Sequence, residues 1–198
     1  MQPARPRRPR AARVFAALCA CTLLSSCATT DETAPRQYLD EVSAATVTAS
    51  NGGFVFARAR TEYAINARDY LTVVPVEVNR AGTHALYFYC YEWSTIDKPA
   101  GAEKPAQFEI VADGRQVPLA PTGAPLRSLG FGEAPFPPPA HAALPLVSAT
   151  SREVLQFLVR AQELSVVATR DGLSERYDLW DDQRGAIEEF LHGGTAGP

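Results

Sequence analysis

Histidine is scarce in this 198-residue chain, with only His84, His141 and His192. A hydrolytic triad needs a Ser or Cys beside a His that an acid orients. With three histidines and no Gly-x-Ser-x-Gly elbow, the sequence offers no visible nucleophile site. Each histidine also has a structural place. His84 begins a strand run and His141 sits among prolines. His192 falls in a last helical turn, where a cation suits the helix dipole. Metal-ligand spacing is missing too: there is no His-x-x-x-His pair, Cys-x-x-Cys pair or calcium loop. Asp178, Asp181, Asp182, Glu188 and Glu189 crowd together, but helix capping and a solvated helix face account for them. No catalytic residue, metal site or cofactor is therefore expected. A cluster of Lys and Arg of the kind that binds nucleic acid is also lacking beyond the N-terminus. No apolar run reaches the roughly 20 residues that a membrane span requires.

What is present is most informative at the N-terminus. Arg5, Arg7, Arg8, Arg10 and Arg13 precede the first acid, and Val14 to Leu24 is an apolar segment of eleven residues. A basic stretch, a short apolar stretch and small residues make a secretory signal peptide. The run Leu24-Ser25-Ser26-Cys27 then resembles the lipobox of bacterial lipoproteins. The resemblance covers only this leader. It implies removal of residues 1–26 as a lipoprotein signal peptide and acylation of Cys27. Three acyl chains would follow, so the anchor would be permanent. The residue after Cys27 is Ala28 rather than Asp, so analogy places the anchor in the cell outer membrane, facing the periplasm. A membrane partner through lipid, and an envelope protein partner, are the expected contacts.

Processing changes the charge and the cysteine count. Of 19 basic residues five leave, so 14 face 22 acids and the chain from Cys27 carries −8. Such a charge opposes adhesion to anionic lipid, so attachment must be covalent. Cys19 and Cys21 leave with the leader and Cys27 becomes a thioether. Cys90 then stands alone, and an intramolecular disulfide is excluded. Cys90 lies between Tyr89 and Tyr91 in mid-strand, which reads as an inert core thiol.

Residues 27–37 read as the lipidated cysteine and a polar tether, 38–192 as one β-rich domain, and 193–198 as a disordered tail. Turn chemistry places four hairpins. Asn51-Gly52 joins Ala45–Ala49 to Phe54–Ala59, and Asn79 to Gly82 joins Tyr70–Val78 to Thr83–Ile96. Asp113-Gly114 joins Phe108–Ala112 to Arg115–Leu119, and Asp171-Gly172 joins Leu164–Thr169 to Ser174–Trp180. Pro75 cannot donate to a ladder, so its strand is an edge there or carries a bulge. Thr83–Ile96 is apolar on both faces, which marks a central strand covered on both sides. Ala120–Pro145 holds seven prolines and reads as a long extended loop. Thr150 and Glu153 predict a capping box opening a helix that carries Val154, Leu155, Leu158 and Ala161. Asp181 or Asp182 caps a last helix that bears Ile187, Phe190 and Leu191. The sum is a mainly β fold, an antiparallel sandwich or barrel-like sheet, with a β-sandwich of about eight strands and two short C-terminal helices favoured and an α+β class as the alternative.

Two sets of residues are candidate binding surfaces. Tyr87, Tyr89, Tyr91 and Trp93 share one strand face and could stack on a ligand, or simply form an inner face. Phe131 and Phe136 sit in the proline loop and could dock on a partner, or pack back on their own domain. The expected function is a non-catalytic binding or scaffolding domain at the cell envelope. The alternatives are a carrier of a small apolar ligand and a hydrolase whose carboxylates, Glu92 and another acid, meet only on folding.

Overall fold

The computed structural model describes residues 33–96 and 106–193. The leader, Cys27 and residues 194–198 lie outside the described residues. The described chain runs β1 (Arg36–Asp40), β2 (Ala45–Ala49), β3 (Phe54–Ala59), β4 (Arg68–Arg80), β5 (Thr83–Ser94), β6 (Gln107–Ala112) and β7 (Arg115–Leu119). Then come α1 (Leu126–Leu129), β8 (Leu144–Ala149), α2 (Arg152–Arg160), β9 (Leu164–Arg170), β10 (Leu173–Asp182) and α3 (Arg184–Gly193). The fold is mainly β. Ten strands make a single antiparallel sheet, with three helices among the described residues. The two strands beyond the expected eight are β1, which takes up the end of the expected tether, and β8, which takes up the end of the expected loop.

Three of the four expected hairpins form around two-residue turns. In each, both turn residues have positive φ: Ala81 and Gly82, Asp113 and Gly114, Asp171 and Gly172. That geometry matches the twist of the flanking strands. The fourth hairpin does not form. β2 and β3 pair with the same edge of β4 rather than with each other. Ala49 faces Val76 and Phe54 faces Val73, so four residues of Ser50–Gly53 lie opposite Val74 and Pro75 alone. Pro75 is the physical reason. Its carbonyl accepts from Ser50 N at 3.0 Å, so its ring nitrogen, which has no hydrogen to donate, faces the same side. The strand breaks where the ladder lacks a donor. Gly53 is required there because a Cβ would stand 2.2 Å from the Val73 carbonyl oxygen.

β4 and β5 form the spine. β5 lies between β4 and β8, and its two faces feed two cores, as its two-faced apolarity predicts. The main core takes Phe88 and Cys90 from β5 with Phe54, Phe56, Leu71, Phe108 and Tyr177. The second core, on the other face, takes Tyr89 and Tyr91 with Val47, Val76 and Phe131. From β4 the sheet continues through β3, β10, β9 and β6 to β7. It curls far enough that Pro121, just past β7, bridges Ser148 of β8. Thr122 N also donates to Val147 O at 2.9 Å.

The helices cover one end of the main core with Leu155, Leu158, Val159, Ile187, Phe190 and Leu191. The α2 cap is Ser151, one residue after the expected Thr150, and its side chain accepts from Val154 N. The two helices clip each other. Arg152, at the start of α2, donates to the Leu191 carbonyl at the end of α3 (2.6 Å). Arg184, at the start of α3, donates to the Val159 and Ala161 carbonyls at the end of α2 (3.1 and 2.8 Å). Each arginine thus satisfies carbonyls that a helix end leaves unpaired.

Candidate functional site

The proline-rich segment is folded onto the domain. α1 and Gly130–Phe136 lie over the second core. Asp40, at the end of β1, is its anchor. One carboxylate oxygen accepts from Val42 N and Ser43 N at 3.0 and 2.9 Å. The other accepts from Gly132 N and Glu133 N at 2.7 and 3.2 Å. Burial pushes the Asp40 carboxyl up, but the backbone donors Ser43, Glu133 and Gly132 outweigh it and hold the carboxyl below its ordinary value. Gly132 allows this approach, since a Cβ there would stand 2.4 Å from the carboxylate.

This fastening decides the environment of the aromatic candidates. Phe131 is buried, its ring edge-on to Tyr87 and Tyr89 at 5.7 and 5.5 Å. Its surface is thus committed to the second core. Phe136 is half-buried and rests edge-on against Tyr89 and Tyr91, both at 5.3 Å. Tyr91 donates to the Phe136 carbonyl at 3.3 Å. Tyr89 and Tyr91 are buried beneath this cover, whereas Tyr87 and Trp93 are half-buried at its margins. Trp93 stacks flat on Tyr70 at 4.1 Å and donates to Thr72 Oγ1. Trp180 extends the aromatic surface edge-on to Tyr70 at 6.3 Å, with the Arg68 guanidinium 4.7 Å above its ring. Trp180 is the extra residue where the register of β10 against β3 shifts, and it is 58% exposed. A bulge of this kind re-aims a side chain. Its sequence signal was weak, because a bulge is a property of the pair of strands.

A second constellation lies inside the sheet, at the end away from the helices. There, five consecutive strands each carry a charged residue at an inward position next to the core. These are Glu92 on β5, Asp69 on β4, Arg58 on β3, Glu175 on β10 and Arg170 on β9. Each stands two residues from a core side chain: Cys90, Leu71, Phe56, Tyr177 and Ala168. Arg60, just past β3, joins them. These six are three guanidiniums and three carboxylates, and Glu62 adds a fourth carboxylate on Arg60 at 2.5 Å. Arg60 pairs with Asp69, and both are buried. Arg170 pairs with Glu92. Arg58 pairs with Glu175 at 2.6 Å and lies 4.0 Å from Asp69. Arg60 is held even more firmly protonated than a free guanidinium: burial opposes this, but Glu62 and Asp69 prevail. Glu92, the acid singled out for a carboxylate pair, is thus partnered by an arginine.

Beneath this layer lies Tyr177, 0% exposed, whose hydroxyl has no hydrogen-bond partner among the described residues. Burial, then the Asp69 charge, pushes its phenol up to about 12. Burial also raises the Cys90 thiol well above the usual range, so it stays a thiol at neutral pH. Among the described residues no group of His, Cys, Asp and Glu is arranged to hold a metal ion. His84 pairs with Glu77 at the exposed β4–β5 hairpin, and His192 occupies the last turn of α3. No helix among the described residues is long and apolar enough to cross a membrane.

No known family model, no curated protein and no solved structure matches this chain.

Proposed function

We propose that this protein is an envelope lipoprotein, tied by acylated Cys27 to the outer membrane, whose β domain faces the periplasm and binds or scaffolds a protein partner. The observation that carries the reading is Leu24-Ser25-Ser26-Cys27 behind a basic and then apolar leader. β1 begins nine residues after Cys27, so at about 3.3–3.6 Å per residue the domain stands within about 30 Å of the bilayer surface. A protein held that close works on what lies beside the membrane. The half-buried Phe136, Tyr87 and Trp93 and the exposed Trp180 form the surface we assign to the partner.

Fractionation tests the anchor. The wild-type chain is expected wholly in the membrane fraction, and Cys27→Ser in the soluble fraction or unprocessed. A photo-crosslinker placed at Phe136 or Trp180 tests the partner. One stoichiometric envelope protein captured at either position supports the reading, and equal capture from a position on α3 would refute it.

A further inference from the structure

The sheet protects its two ends unequally. At one end β7 carries Pro118, and the chain just past it bridges β8 through Pro121 and Ser148, so those strands close on each other. At the other end β1 pairs with β2 alone among the described residues. Natural sheets blunt an open edge with proline, lysine, a bulge or a covering segment. β1 holds no proline or lysine, and its register against β2 is unbroken from Arg36 to Asp40. Arg36, Gln37 and Leu39 are exposed, Leu39 at 65%. The backbone groups on the outer side of such a strand are a template for another strand.

We propose that the β1 edge pairs with the β1 edge of a second copy of this chain, antiparallel about a twofold axis at Tyr38. Charge selects this partner and this direction. β1 is basic where it starts, at Arg36, and acidic where it ends, at Asp40 and the following Glu41. Antiparallel pairing sets each basic end against the acidic end of the other copy, whereas parallel pairing would set like against like. The register centred on Tyr38 pairs all five residues of the strand. Tyr38 packs on the second core, so Leu39 stands on the opposite face. There the two copies of Leu39 become diagonal neighbours about 7–8 Å apart, which takes exposed leucine out of water. An edge of five residues is far smaller than the roughly 800 Å² per partner of a stable interface, so copies free in dilute solution stay apart. Anchoring changes this, and here the proposal rests on the reading of Cys27 as acylated. β1 starts nine residues after Cys27, a reach of about 30 Å. The two Arg36 residues of the pair lie only about 14 Å apart, so both chains reach one bilayer. Copies that share a membrane meet at a raised effective concentration.

The test is thiol cross-linking of the full chain in its native membranes. With Cys27 acylated and Cys90 buried, the processed wild-type chain gives no background. Gln37→Cys, on the exposed face beside Leu39, is expected to give a dimer band with a cross-linker of about 8 Å span. Gln156→Cys, exposed on α2, is expected to give none. Adding Leu39→Lys to Gln37→Cys sets two ammonium groups in the contact and should cut the band about fivefold or more. Leu39 is exposed, so this change spares the fold, which circular dichroism checks. No band from Gln37→Cys, an equal band from Gln156→Cys, or a band that Leu39→Lys leaves unchanged would overturn the proposal. Fractionation of the same samples reads the anchor separately. A chain found in the soluble fraction overturns the anchor, and the cross-link is then repeated on purified protein at millimolar concentration. A band there upholds the pairing, and its absence overturns that too.

Discussion

Asp40 shows how much one side chain can fasten. Its carboxylate accepts four backbone N–H groups, two from the β1–β2 turn and two from the proline segment ninety residues away. Hydrogen bonds to a charged group contribute about 1.5–3 kcal/mol, and an amide can replace only part of this set. Asp40→Asn is therefore expected to cost about 2–3 kcal/mol in urea unfolding at pH 7. The pH dependence has a definite sign. The folded carboxyl lies below its ordinary value of about 3.9, so its contribution is complete above that value. It is lost as pH falls through the lower folded value. Unfolding followed from pH 6 to pH 3 should show the gap between wild type and Asp40→Asn closing below about pH 4. A gap that stays constant would refute this assignment. Cys90 gives a second residue-scale prediction. Fully buried and with its thiol pushed up, it should not react with a disulfide reagent at neutral pH in the native processed protein, and should react at once in 6 M urea. Neither Asp40 nor Tyr177 was legible as special in the sequence. An aspartate before a turn and a tyrosine in a strand are ordinary, and only the fold brings Gly132 to Asp40 and buries the Tyr177 hydroxyl.

At the scale of elements, the legible parts were those whose cause is local. Asn79 to Gly82, Asp113-Gly114 and Asp171-Gly172 made hairpins because two residues with positive φ suffice to reverse a chain. The two-faced run of β5 read correctly as a central strand because both faces are apolar whatever covers them. Asn51-Gly52 misled because the outcome rests on Pro75 of another strand, which leaves the ladder without a donor and turns a hairpin signal into a break. β8 was hidden because its strand begins within the proline run, at Leu144-Pro145, and its pairing with β5 is remote in sequence. Two substitutions test this account of the elements. Gly53→Ala drives a methyl into the Val73 carbonyl and should cost about 1–3 kcal/mol by thermal or urea unfolding. Arg184→Ala removes the clip on the last carbonyls of α2 and should cost about 1–2 kcal/mol. Its amide exchange should speed up in α2 and α3 while the β4–β5 ladder stays protected. Uniform loss of protection would contradict a local role for the clip.

For the whole molecule, the sequence supports an expectation about location more than one about task. The mainly β architecture was legible because hairpin signals recur along the chain. The single sheet that curls until Pro121 meets Ser148 was not, because closure depends on contacts at opposite ends of the strand order. The candidate site was partly legible. The Tyr87–Trp93 stripe is an aromatic face, but the proline segment covers its centre and leaves its margins and Trp180 for contact. The charged layer escaped notice because its six members come from five strands and the residue just past β3, spread between residues 58 and 175. What unites these surfaces in our account is tethering: a domain held by its first processed residue, within about 30 Å of a bilayer. Mass spectrometry of the N-terminal peptide from the membrane-extracted protein tests that most directly. The account predicts a peptide beginning at position 27 whose sulfur carries a diacylglyceryl thioether. A peptide with an unmodified Cys27 thiol, from protein recovered in the soluble fraction, would contradict it.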